Sequence, residues 1–559
     1  MKTRLLAIVA VVVLAAGCGS SKKGSTTPTQ PAALQHVVDL RGKAEGGQYP
    51  EVDVAAKDND FSPAAIRIDP GTTVEWTNEG RSPHDITAVV FGKPTGQEMG
   101  VAAASFGAGK KYEYRFAKPG VYRYYCSLHG SPSTGMIGEV VVGDVDAVTG
   151  KAPGGSTSSG TASGTLRVPS QYKTIQAAVN AAKAGSRVLV SPGVYREAVT
   201  VTTPDLDIRG LSRTGTVLDG GFARDNGFKV LADGVAIENM TARNYTSNGF
   251  FWTGVDGYRG SYLNAIRNGD YGIYAFGSTH GQFDHDYGEG SPDAGFYIGQ
   301  CTKCDAVITD SLSEWNGIGY SGTNAGGNLL IIKSTWRDNR VGIVPNSGTE
   351  ELHPPQRDAT IVGNTVYDNN NAQTAAISIA QLAVGNGILL AGGNDDTVQR
   401  NLVYGHDLTG IGAIPLPEKV INPDDKKAMN FDARGNKIED NDVSGSGAAD
   451  LALVTSIDNP KDAGNNCFSG NHFTTSLPAH LEQLVPCGQA ASATFQTDLT
   501  RFVQLLTQSK PGDRDYKTVP LPKPPTLPDM PDAASASARP ADHGVPMTVD
   551  LASIPLPTR

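Results

Sequence analysis

Between Val52 and Val142 apolar and polar positions alternate in short runs separated by turn residues, the pattern of strands with one face buried. Val74-Glu75-Trp76-Thr77-Asn78 is such a run, and the whole stretch has the length of a small β-sandwich. The periodicity then changes. Tyr172 to Ala184 places Ile175, Ala178, Val179 and Ala182 along one helical face, and a strand-turn run follows from Val188 to Glu197. From there the chain repeats itself. Positions 247, 270, 293, 316 and 339 read Ser, Asp, Asp, Asn, Asn, and positions 251, 274, 297, 320 and 343 read Phe, Tyr, Tyr, Tyr, Ile. Gly249, Gly272 and Gly295 keep the same interval of 23 residues. Such columns predict a solenoid with one coil per repeat, in which Asp270, Asp293, Asn316 and Asn339 stack in one ladder and Tyr274, Tyr297 and Tyr320 in another. Later coils carry insertions, with loops at 346–358 and 414–429 projecting from one side. A last amphipathic stretch, Thr494 to Gln508, presents Phe495, Leu499, Phe502 and Leu506 on one helical face.

Composition changes this picture at the ends and joints. Residues 145–164 are rich in Gly, Ser and Thr and read as a linker. Residues 511–559 are Pro-rich with little periodicity and predict a disordered tail. Lys2 and Arg4 precede an apolar run from Leu5 to Ala16, too short to span a bilayer and read as an export signal. A formal charge of -10 offers no basic surface to neutralise phosphates, which argues against a nucleic-acid partner.

Six cysteines then divide by context. Leu14-Ala15-Ala16-Gly17-Cys18 resembles a bacterial lipobox, which implies removal of residues 1–17 and lipidation of Cys18. That makes residues 18–48 a flexible tether and places the protein at the outer face of a bacterial membrane or envelope. Cys301 with Cys304, and Cys467 with Cys487, are local pairs without a His at ligand spacing, and read as disulfides in an oxidising compartment.

Cys126 is the remaining one. A strand ending in Tyr124-Tyr125 delivers it, a short loop supplies His129 and Met136, and Pro83-His84-Asp85-Ile86 lies upstream. Two imidazoles, a thiolate and a weak thioether serve both Cu(I) and Cu(II), so little rearranges on electron transfer. Together with Phe61-Ser62-Pro63, Gly71-Thr72 and Gly135-Met136-Ile137-Gly138, these residues resemble the cupredoxins, plastocyanin-like and halocyanin-like, over residues 49–144. The resemblance implies a Greek-key β-sandwich holding one type 1 copper on His84, Cys126, His129 and Met136. The His129-to-Met136 gap is longer than in plastocyanin. Val168 to Gly220 resembles the cap and entry turn of pectin-lyase-like right-handed parallel β-helices, which implies an all-β second domain over residues 165–488 with an N-terminal capping helix.

Within the solenoid, Asp284, His285 and Asp286 are the weak catalytic candidates; on a strand the two carboxylates share one face and His285 takes the other. No longer motif of a polysaccharide lyase, hydrolase or epimerase accompanies them. The sequence therefore predicts a membrane-anchored blue copper electron carrier with an unidentified redox partner, its β-helix a docking or glycan-binding scaffold. The rival readings are a polysaccharide-active β-helix enzyme with an appended copper domain, and copper handling of the kind associated with NosD-like proteins.

Overall fold

The computed structural model of the chain describes residues 37–43, 51–89, 99–131, 134–144, 164–377, 379–421, 428–507, 511–541 and 549–559. The expected leader with Cys18 and all but the end of the 145–164 linker lie outside them.

The N-terminal domain is a sandwich of ten strands. They are β1 (Val38–Asp39), β2 (Glu51–Lys57), β3 (Asp60–Ser62), β4 (Ala65–Ile68), β5 (Thr73–Asn78), β6 (Ile86–Val89), β7 (Gly100–Val101), β8 (Lys111–Arg115), β9 (Gly120–Ser131) and β10 (Thr134–Val142). One sheet runs β1-β4-β10-β9-β6-β7 and the other β3-β2-β5-β8. Alternation places Val52, Val54 and Ala56 of β2 inside, against Val74, Trp76, Val140 and Val142. The buried Trp76 ring meets Tyr124 edge-on at 5.3 Å, and Tyr124 meets Phe61 at 4.8 Å. Gly138 leaves room for Tyr124, since a Cβ there would stand 2.2 Å from the ring. The reading of residues 18–48 as a free tether fails at its end. Val38 and Asp39 pair in parallel with Ile66 and Arg67, because the outer edge of β4 offers unpaired backbone groups.

Residues 165–488 wind into a parallel β-helix of three sheets, with 12, 10 and 11 strands. A helix at Ile175–Ala181, shorter than its sequence pattern, closes the N-terminal end. The Thr174 hydroxyl accepts from Ala177 N, and the Glu197 carboxylate accepts from Ile175 N and Gln176 N at 3.0 Å each. This satisfies the free N–H groups of the first turn. Ile175, Ala178 and Val179 cover the apolar end of the first coil.

The core column Phe228, Phe250, Ile273, Phe296, Tyr320, Ile343, Ile388 runs in register up the third sheet. Tyr320 is therefore an interior residue, contrary to the sequence expectation. Tyr274 pairs with Tyr297, but Tyr297 pairs with Ser321. The turn holding the Cys301–Cys304 disulfide lengthens its coil, so that Tyr287 pairs with Leu312 and Ala294 with Ile318. An offset of 24 in place of 23 moves a side chain to the opposite face of its strand.

The same turn divides the predicted Asp/Asn ladder. Asp270 and Asp293 follow one another, Asp293 N donating to Asp270 O at 3.2 Å. Asn316 and Asn339 belong to a separate buried ladder: Ser291 N donates to Asn316 Oδ1 at 2.9 Å, Asn316 N to Asn339 Oδ1 at 2.9 Å, and Asn339 Nδ2 to Asn369 Oδ1 at 3.0 Å. A second ladder, Asn364-Asn401-Asn441-Asn471, ends on the carboxylate of Glu482.

The described parts of the Pro-rich tail, 511–541 and 549–559, also depart from the expectation, for they lie ordered along the coils. Arginines of the β-helix donate to its carbonyls: Arg340 to Gly512 O (2.9 Å), Arg267 to Tyr516 O (2.8 Å), Arg209 to Ser537 O (3.1 Å) and Arg400 to Ile554 O (2.8 Å). Proline leaves carbonyls free to accept while having no N–H to satisfy, so an extended Pro-rich segment suits a row of fixed guanidinium donors. The preceding helix spans Leu499–Thr507, shorter than expected, with Phe502 buried and Phe495 in the main core.

Candidate metal centre

Three elements at one end of the sandwich bring the candidate ligands together. His84 follows the turn after β5, fixed by its N–H to Phe106 O at 3.1 Å. Asn78 braces that turn, its side-chain amide donating to Ser82 O and Phe106 O at 2.9 Å each. Cys126 and His129 lie on β9. Met136 lies on β10 where the pairing shifts between Gly135 and Ile137, a bulge that leaves it out of the ladder. Met136 is fully buried and shares the sandwich core with Cys126.

His84 Nδ1 stands 3.0 Å from His129 Nδ1 and 3.8 Å from Cys126 Sγ, and His129 Nδ1 is 3.4 Å from that sulfur. Such a triangle suits one ion with bonds of roughly 2.0–2.3 Å to nitrogen and sulfur. Burial pushes the Cys126 thiol up to about 11. Burial and then the neighbouring His84 ring hold His129 well below the usual imidazole value, keeping it neutral and able to donate a lone pair. Cys126 is the one free cysteine among the described residues.

Two supporting residues carried no signal in the sequence pattern. Asp85 accepts from Ser127 N at 2.7 Å and pairs with the Ser127 hydroxyl, tying the residue after His84 to the residue after Cys126. Asp85 N points at Cys126 Sγ, 3.4 Å away. On the far side of His84, Asp58 Oδ1 lies 3.8 Å from Nε2 and accepts from the N–H groups of Arg81 and Ser82. Supports of this kind fix ring orientation in metal sites.

The β-helix faces this end of the sandwich. Lys229 Nζ donates to Ser127 O at 2.8 Å, Lys57 Nζ to Thr349 O at 2.9 Å, and Asn59 Nδ2 to the Tyr274 hydroxyl at 2.8 Å. Gly254 faces Gly135, where a Cβ on Gly254 would stand in van der Waals contact, 3.4 Å from Gly135 Cα. Half-buried His129 thus looks toward the solenoid across a cavity of about 470 Å³.

The solenoid candidates Asp284, His285 and Asp286 do not form a comparable site. The strand ends at Asp284, and His285 turns into the left-handed region (φ 57°). As a result His285 Nδ1 meets Asp284 Oδ2 at 2.9 Å, and Asp286 points inward, accepting from Leu263 N at 2.7 Å. The expected sharing of one face by the two carboxylates is overturned by that single backbone angle. Burial raises Asp286 far above the ordinary carboxylate range. Cys301–Cys304 and Cys467–Cys487 are closed disulfides.

A buried cysteine–bis-imidazole triangle on the end of a Greek-key sandwich is a donor set that suits a copper ion. Comparison with known proteins agrees. The family of copper binding proteins, plastocyanin/azurin type, matches residues 50–143, and the right-handed β-helix region matches residues 248–415. The chloroplastic plastocyanin of Tetradesmus obliquus is 29% identical over 139 residues, 23% of this chain and 94% of that protein. A plastocyanin of Synechococcus sp. is 36% identical over 90 residues, 15% of this chain and 62% of its own length. Among solved structures, the A-module of a mannuronan C-5 epimerase from Azotobacter vinelandii aligns with 53% of this chain and 90% of its own, at 16% identity and a TM-score of 0.40. The chain therefore joins a plastocyanin-like copper-binding domain to a right-handed parallel β-helix.

Proposed function

We propose that the chain is an electron-transfer protein in which His84, Cys126 and His129 would hold one type 1 copper, with Met136 as a weaker fourth ligand. The convergence of two Nδ1 atoms and one Sγ in a buried, braced pocket carries this reading. Copper bound there supplies one-electron chemistry, and a donor set acceptable to both oxidation states keeps reorganisation small. The Asp85–Ser127 link holds the two ligand segments together, and the sandwich core keeps water from the sulfur. The β-helix acts as the scaffold on which the copper domain rests. The apolar run Leu5 to Ala16 and Cys18 support export and lipid anchoring, with the copper end carried outside the cytoplasmic membrane. Its protein redox partner and any bound glycan belong to the same proposal.

The test is an absorption and EPR spectrum of the copper-loaded full chain and of residues 49–145. One copper per chain and an intense thiolate-to-copper band are expected in both. A colourless, copper-replete, oxidised protein would overturn the reading.

A further inference from the structure

The cavity between the two domains is larger than packing defects require and is walled by unusual chemistry. Its sandwich side carries Asn59, Arg81 and His129, and its solenoid side Ser247, Asp270 and Tyr274. Asn59 is held in the left-handed region (φ 62°) with its amide N–H on the Tyr274 hydroxyl; its Oδ1 is buried and has no hydrogen-bond partner. A buried acceptor left without a donor costs about 1–3 kcal/mol, and the lost bond is recovered when a ligand brings a hydroxyl to it. Asp270 also lines the space and makes no side-chain hydrogen bond among the described residues.

Charge narrows the occupant. Arg81 lies among Asp58 (3.4 Å), Asp293 (3.9 Å), Glu350 (3.9 Å) and Glu351 (4.0 Å), so its guanidinium is already engaged and the wall around it is acidic. Burial and the neighbouring Asp293 raise Asp270 above the ordinary carboxylate range, which favours the protonated form that can donate. Among the described residues the acids around the cavity do not converge as metal ligands do; the His84, Cys126 and His129 group does. A free anion would be repelled by these carboxylates, whereas hydroxyl groups can donate to them and to the unpartnered Asn59 Oδ1. The lining therefore suits a neutral molecule offering several hydroxyls, with Tyr274 and its stacked neighbours Tyr271 (4.3 Å) and Phe251 (4.6 Å) forming an aromatic wall.

We propose that the interdomain cavity is a binding site for a small neutral molecule bearing vicinal hydroxyl groups, seated between Asn59 and Asp270 at the His129 edge of the copper domain. Two sources share that chemistry, a dihydroxy-aromatic and a monosaccharide. Binding rests on the cavity, whereas any effect on copper rests on the function proposed above. The two are separable because binding is measurable without metal.

Titration calorimetry of the full chain, copper-free and copper-loaded, with catechol and with mannose tests it. One of the two should bind at one per chain with a dissociation constant of about 1 mM or tighter. Ser247→Phe, which fills the space, should weaken binding at least about tenfold while leaving the thiolate-to-copper band in place. In the copper-loaded protein the bound molecule should perturb the EPR signal through His129. Catechol alone or mannose alone identifies the source. No binding of either up to about 10 mM, or binding indifferent to Ser247→Phe, overturns the proposal. Binding without a copper band would instead retain the site and refute the copper reading.

Discussion

At the scale of single residues the copper pocket depends on groups whose roles differ in kind. In the proposed site Cys126 would supply the charge-transfer partner, so Cys126→Ser should abolish the visible band of the loaded protein. Met136 would be only a weak fourth donor; Met136→Leu should retain the band and raise the reduction potential, measured by redox titration. Loss of the band in that variant would mean that the thioether is structural. A second prediction concerns a carboxyl far from the copper. Asp396 accepts from Ala359 N and Gln356 Nε2, its other oxygen has no partner, and burial raises it to about 7. A folded value above the unfolded 3.8 means that the stabilising contribution is complete below about pH 4 and is lost as pH rises through 7. The loss is on the order of 4 kcal/mol as an upper bound. Asp396→Asn keeps the acceptor and should flatten denaturant-midpoint stability between pH 4 and 7. An unchanged slope would exclude Asp396 as its source.

At the scale of elements, stability in the solenoid adds up between neighbouring coils. Asn316 donates to Gly288 O, Glu314 O and Asn339 Oδ1, and accepts from Ser291 N. Asn316→Leu leaves several buried backbone groups without partners and should cost at least about 1–3 kcal/mol, read from the urea midpoint. A neutral substitution would show that the ladder is ornamental. The repeat in the sequence made this array legible, because identical small polar residues at one interval have few other uses. Its assignment to faces was not legible. The residues added around Cys301–Cys304 shift the register, separating Asp270 and Asp293 from Asn316 and Asn339 and turning Tyr320 into the core. Interval counting assumes equal coils, and one turn broke that assumption.

At the scale of the whole molecule, two long-range associations decide the shape. The tail from 511 to 541 crosses the coils on guanidinium donors, among them Arg213, whose backbone N–H also donates to Asp529 Oδ1. Limited proteolysis should leave this segment intact in the native protein despite its composition, and removal of residues 511–559 should lower the melting temperature. Cleavage at the rate of a free peptide would contradict the docked tail. The sandwich meets the β-helix through polar contacts of Lys57, Asn59, Arg81 and Lys229 across the joint. The isolated copper domain should nonetheless fold and bind copper, since Trp76, Tyr124, Val140 and their neighbours form a core of their own. Failure of residues 49–145 to fold would show that the solenoid completes that core.

The sequence by itself determined the two architectures and singled out the candidate ligands, because both rest on local patterns. Alternation specifies strands, a fixed interval specifies coils, and a Cys, two His and a Met around one strand end have a chemistry of their own. Only the tertiary structure decided which way the copper edge faces, where Asp286 and Tyr320 point, and that the Pro-rich tail is clamped. Those outcomes depend on one positive φ, on an offset of a single residue, and on arginines and carbonyls hundreds of positions apart. No short window of sequence contains both partners of such contacts, so their energies enter only once the chain has folded.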